Sequence, residues 1–236
     1  MTTSGTTVFN MTLNDLVEEA FERCGAEVRT GYDLRTARRS LNLLTIEWAS
    51  RGINLWTVDT ATVPLISGTY VYTLPIDTID LLDVVVRNNS ATVSQSDIPL
   101  TRITVDSYSA IPNKLAPGRP LQVYINRQSG ATDPTTGLAS PTMTLWPVPD
   151  QTSVYTLVYW RLRRIQDAGN GVNTQDIPFR FLPAMTAGLA YHLAFKVPGG
   201  LDRLQILKAD YDEQWQNASD EDRDKSSLRI APRISY

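Results

Sequence analysis

The hydrophobic period of the chain changes twice, and this constrains the fold more than any single motif. Residues 12–51 place apolar side chains three and four apart, the spacing of a helix with one buried face. From about residue 56 to 160 the spacing falls to two, the period of a half-buried strand, and from about residue 179 the helical spacing returns. The order is helices, then strands, then helices, an α+β chain. The switch is sharpest in "LNLLTIEWASRGINLW" (41–56), where an apolar helix stops at Arg51-Gly52 and runs into a strand-like segment.

The first helix opens at Thr12, with Asp15 three residues later in the manner of a capping box. Leu13, Leu16, Val17, Ala20, Phe21 and Cys24 form one stripe, and Gly25 is suited to end it in the left-handed conformation. Cys24 lies on the stripe and reads as a small core hydrophobe. The second helix is predicted from Asp33, as N-cap, to Arg51. Ala37, Leu41, Leu44 and Trp48 form its stripe, and Leu43 and Ile46 are expected to widen it. Arg35, Arg38 and Arg39 decorate its first turns. They read either as a solvated face or as a contact for an acidic partner surface.

Six strands are expected in the middle. Two β-rich runs joined at Ser67-Gly68 read as a hairpin, and "LLDVVVRN", "LQVYIN", "TMTLWPV" and "VYTLVYWRL" supply four more. "TVDSYSAIP" reads as one short helical turn. Frequent prolines confine the strands to short pieces with edges and turns between them. The polar loop 126–141 is longer than a hairpin needs, and is either disordered or an ordered contact with a neighbouring molecule.

A third helix is predicted near 179–196, with Pro183 near its start. Ala184, Ala187, Gly188, Tyr191 and Ala194 give it a face of mostly small side chains. Leu182, Met185, Leu189 and Leu193 fill the other side, so the helix is expected to be buried. His192 reads as a packed or hydrogen-bonded helix residue. A fourth helix, 201–225, turns Leu201, Leu204, Tyr211, Trp215 and Ala218 inward. The last stretch, "SSLRIAPRISY", sets Leu228, Ile230 and Ile234 between Arg229 and Arg233, and Pro232 blocks a helix there. Such an extended amphipathic tail either frays or lies on a partner.

Composition narrows the chemistry. The 236 residues carry a net charge of −3, whereas a protein that grips duplex DNA through its phosphates needs a basic balance. One cysteine forbids an intrachain disulfide, and one histidine excludes multi-histidine metal sites and disfavours a His-dependent triad. No run of eighteen apolar residues suggests a membrane span, and the polar start (1–11) reads as a flexible lead rather than a secretory signal. P-loop, dinucleotide-binding and GxSxG signatures do not occur. The acidic residues concentrate on predicted helix surfaces, where solvation accounts for them. "RLRR" (161–164), beside Tyr159 and Trp160, is the densest basic spot and a weak candidate for touching a phosphate backbone. No catalytic residue, cofactor or metal site is expected, so the chain reads as a structural protein and not an enzyme.

Several segments, in this order, carry a resemblance: "ARRSLNLLTIEWASRGINLWTV", "PLTRITVDSYSAIPNK", "GRPLQVYINRQ", "LWPVPD", "YWRLRRIQDAG" and "RFLPAMTAGLAYHLAFKVP". Over roughly residues 12–225 the chain resembles the head-to-tail adaptors of tailed bacteriophages, the tail tubular protein A-like connectors of short-tailed phages. The resemblance implies an antiparallel helical bundle (12–55 and 176–225) interrupted by an antiparallel β domain (56–175), with an extended C-terminal tail (226–236). It implies a homo-oligomeric ring, usually twelve-fold, that joins the portal protein to the tail nozzle or tube. Such a ring extends the DNA channel and helps to retain packaged DNA, which passes without sequence-specific binding. The expected location is the virion neck, after synthesis in the host cytoplasm. Leu228, Arg229, Ile230, Arg233, Ile234 and Tyr236 are the expected portal-docking residues. In this setting 52–56 is the hinge between bundle and β domain. A mildly acidic chain also suits a channel that must release DNA.

Two other classes stay open at this level. One is a neck or baseplate component of a longer-tailed phage, which its neighbours in the particle would distinguish. The other is a tail-associated carbohydrate-binding or hydrolytic protein, which a cell-wall degradation assay would distinguish.

Overall fold

A computed structural model describes residues 5, 11–28, 31–52, 55–90, 92–127 and 140–222. The expected lead (1–11) and the portal-docking residues Leu228, Arg229, Ile230, Arg233, Ile234 and Tyr236 lie wholly or largely outside these. So do most of loop 126–141 and residues 53 and 54 of the expected hinge.

In chain order, α1 (Leu13–Cys24) and α2 (Gly31–Arg51) precede a 3-10 turn (Leu55–Thr57). Then come β1 (Val58–Pro64), β2 (Val71–Thr73), β3 (Thr78–Asn88), β4 (Ser96–Pro99), β5 (Thr101–Ile103) and the short α3 (Val105–Ser109). β6 (Gln122–Asn126), β7 (Thr142–Trp146) and β8 (Tyr155–Arg163) follow. After them, 3-10 turns lead into α4 (Leu182–Ala194) and α5 (Leu204–Glu221). The chain is thus α+β, and it divides into two compact units, Met1–Trp56 with Ile165–Tyr236, and Thr57–Arg164.

In the helical unit the caps form as the residues dictate. The Thr12 amide donates to Asp15 Oδ2 at 2.9 Å and the Asp15 amide to Thr12 Oγ1 at 3.3 Å, while Gly25 closes α1 at φ +80°. α2 begins at Gly31, two residues before the expected cap, so Asp33 lies within the first turn, where its charge complements the helix N-terminus. The stripes of α1 and α2 meet α4 and α5 in one core around Trp48. Its ring centroid lies 5.6 Å from that of Phe181 and 4.8 Å from that of Trp215. Tilted aromatic pairs at this spacing add to the burial of their area.

Three expectations for helix faces need correction. Leu43 and Ile46 do not widen the buried stripe of α2; they stand on its far side and are exposed. Leu201 is also exposed, and Leu207 takes the inward position on α5. α5 ends at Glu221, where Arg180 pairs with the buried Asp222.

The return to the helical unit comes at Ile165, earlier than the 175/176 boundary expected. Residues 165–175 belong with the helices because Ala168 is buried among them and its amide donates to Asn42 Oδ1 at 2.8 Å. The amides of Leu13 and Asn14 donate to the carbonyls of Asn173 and Gly171.

The other unit holds two four-stranded sheets, ordered β1-β8-β3-β4 and β2-β7-β6-β5. Leu81, Val84 and Val86 of β3 and Leu157 of β8 share one apolar core with Tyr72, Val123, Met143 and Leu145 of the other sheet. β1 and β2 do not form the expected hairpin. β1 pairs with β8 and β2 with β7, so Ser67-Gly68 turns the chain from one sheet to the other. Among the described residues eight strands stand where six were expected. The additional β4 and β5 are short sheet edges joined through the buried Leu100. The pairing is antiparallel except between β5 and β6, which run parallel. "TVDSYSAIP" does hold one helical turn, α3, capped by Thr104.

Candidate interaction surface

α2 is the element that most separates structural from surface chemistry. Its C-terminal half is knotted into the core by polar contacts. Trp48 Nε1 donates to the Tyr211 hydroxyl at 2.9 Å, and that hydroxyl donates to Glu47 Oε1 at 3.2 Å. Arg51 pairs with Glu47 and lies over the rings of Tyr211 and Trp215. Burial, the largest cause, pushes the Tyr211 phenol up to about 12, so it stays protonated and can donate. His192 Nε2 lies 3.3 Å from Glu47 Oε2, on the flank of the same cluster. These contacts tie Glu47 and Trp48 of α2 to Tyr211 of α5, and they bring His192 of α4 to the same cluster.

Cys24 is buried, and its thiol donates to the Ala190 carbonyl at 3.1 Å. Burial pushes the thiol up to about 11, which suits a packed side chain and not a nucleophile. Among the described residues, no group of three His, Cys, Asp or Glu is placed to hold a metal ion. No described helix is long and apolar enough to cross a membrane.

The N-terminal half of α2 packs Ala37 and Leu41 inward and carries arginines on its other sides. Arg35 and Arg39 are exposed and Arg38 is half-buried, and the three lie together with Tyr32 and Asn42 along a groove of about 510 Å³. Arg38 donates to the Ala168 carbonyl at 3.2 Å, and Arg39 donates to Thr36 Oγ1 at 3.3 Å. Among the described residues none of the three meets a carboxylate. Beside them, a second groove of about 760 Å³ runs between α1 and α2 to the end of α4, bordered by Phe21, Tyr32, Arg39, Leu43 and Lys196. The structure thus brings the three predicted arginines to one surface. The signal missed in the sequence was the position of Leu43 and Ile46 on that same side.

The "RLRR" segment has a different role. Arg161 sits on β8 opposite Asp59 of β1 and pairs with Asp59 and Asp77, and Arg163 pairs with Asp59 at 3.2 Å. Cross-strand ion pairs of this kind stabilise the sheet, so two of the three guanidinium groups are committed to holding it together.

The family model described as SU10 adaptor protein matches residues 11–233, nearly the full length. The chain belongs to this family of phage head-to-tail adaptors, which are structural proteins. Comparison with curated proteins gives no match.

Proposed function

We propose that the chain forms a homo-oligomeric ring, of about twelve copies by family analogy, that joins the portal protein to the tail nozzle or tube. The ring extends the DNA channel and helps to retain packaged DNA. The observation that carries this reading is the adaptor-family match across 11–233. The helices of the first unit form the antiparallel bundle of this reading, and the β unit contacts the nozzle. Leu228, Arg229, Ile230, Arg233, Ile234 and Tyr236 dock on the portal in extended form. Alternation of apolar and arginine residues suits a groove between portal subunits. Arg35, Arg38 and Arg39, without carboxylate partners among the described residues, are the second contact surface of the proposal.

Gold-labelled antibody against the chain, applied to purified phage particles with detached or opened tails, tests the placement. Label at the junction of head and tail is expected. Label confined to the tail tip would overturn the head-to-tail reading in favour of a baseplate component.

A further inference from the structure

The outer face of α2 carries a pattern that the outer face of α5 repeats in reverse. On α2, Tyr32, Arg35, Arg39, Leu43 and Ile46 lie on the side opposite the buried Ala37, Leu41, Leu44 and Trp48. Tyr32, Leu43 and Ile46 are 63%, 59% and 63% exposed, large values for apolar side chains. On α5, Ile206, Ala209, Glu213 and Asp220 lie opposite the buried Leu207, Tyr211, Trp215 and Ala218, and Ile206 is 72% exposed. Just as the α2 arginines meet no carboxylate among the described residues, Asp212 and Glu213 of α5 meet no cation there.

The two faces match in register. Ile46 and Arg39 stand one heptad apart, about 10 Å along a helix, and so do Ile206 and Glu213. The order is charge before apolar on α2 and apolar before charge on α5. Laid antiparallel, Ile46 meets Ile206, Leu43 meets the small Ala209, Arg39 meets Glu213 and Tyr32 meets Asp220. Arg35 and Asp212 then flank the charged end. Laid parallel, the same register sets Arg39 against Ile206 and Ile46 against Glu213, which desolvates two charges for no return.

We propose that the outer face of α2 in one copy of the chain receives the outer face of α5 in a second copy. This rests on the ring reading above and names the surfaces that build it. Because the two faces differ, the contact is head to tail: every joined pair leaves one free α2 face and one free α5 face, and repetition gives a ring when the rotation between copies closes, as the ring reading requires. The apolar residues supply the burial, and the arginine–carboxylate contacts set direction and register.

Leu43→Cys and Ala209→Cys introduced together test this in phage particles assembled with the variant chain. The particles are treated with a short bismaleimide and resolved on a denaturing gel. Cys24 is buried and does not compete. A ladder of chain multiples, absent with either cysteine alone, is expected. Incorporation into particles without a ladder would overturn the pairing and leave the adaptor reading standing. Absence of the wild-type chain from particles would overturn both. A cross-link to another particle protein would assign the α2 face to that partner and overturn the pairing. Charge exchange gives an independent readout. Arg35→Glu/Arg39→Glu and Asp212→Lys/Glu213→Lys should each reduce incorporation by at least about tenfold alone, while their equimolar mixture recovers to within about twofold of wild type. Wild-type incorporation by each variant alone would contradict the proposal.

Discussion

Gly188 and Cys24 show how closely the helical core is fitted. A Cβ at Gly188 would lie 2.8 Å from Tyr211 Cε2 and 3.0 Å from Leu44 Cδ2. The tyrosine ring cannot swing away without breaking its bonds to Trp48 and Glu47. Gly188→Ala is therefore expected to destabilise the protein by about 1–3 kcal/mol in chemical denaturation, although alanine favours helix over glycine. Unchanged or raised stability would show that the core has slack there. Cys24, raised from an ordinary 9.0 to about 11 by burial, gives a pH prediction. The folded state binds this proton more tightly than the unfolded state, so the contribution to stability is full below pH 9 and is lost as pH rises toward 11. At pH 8, iodoacetamide should alkylate the denatured chain and spare the native one. Both positions were legible in the sequence, Cys24 from its place on the α1 stripe and Gly188 from the small-residue face. Leu43 and Ile46 are apolar but project from the side of α2 opposite Trp48, so their angular position and not their apolar character decides their exposure.

At the scale of elements, α1 depends on its cap. Thr12→Ala removes one side of the box and should cost about 1 kcal/mol of stability. The Thr12 hydroxyl, then the Thr12 amide, hold the Asp15 carboxyl below its usual range. That stabilisation is present above the unfolded carboxylate range and is lost as pH falls through the lowered folded value. The gap in melting temperature between wild type and Thr12→Ala should therefore narrow in acid to the part due to the Asp15 amide bond; a constant gap would remove the carboxylate from the account. The long helices and the strands β3, β6, β7 and β8 were legible because each sustains its period over a sufficient length. β4 and β5 were not, since three- and four-residue edge strands carry too few residues to show a period. The pairing of β1 was hidden for another reason. The turn at Ser67-Gly68 resembles a hairpin locally, and only the partners Thr156 to Leu162, far along the chain, show that β1 belongs to the sheet of β8. Arg161 likewise reads as a free basic residue until β1 brings Asp59 beside it.

For the whole molecule, the family match across residues 11–233 shows a phage adaptor, and the contact surfaces are proposals that binding experiments test. If the C-terminal residues dock on the portal, truncation after Ser227 should weaken portal binding by at least about tenfold in a sedimentation or interferometry assay, since several apolar and arginine contacts go at once. Unchanged affinity would remove the tail from the proposal. A monomeric chain in solution is compatible with a ring that forms only on its template, because the partner binds the assembled form and shifts the equilibrium toward it. The most direct test of the central claim is electron microscopy of the purified protein mixed with the portal ring of its own phage. The account predicts a second ring stacked coaxially under the portal. Portals that remain bare at saturating protein, with the chain found elsewhere in the particle, would contradict it.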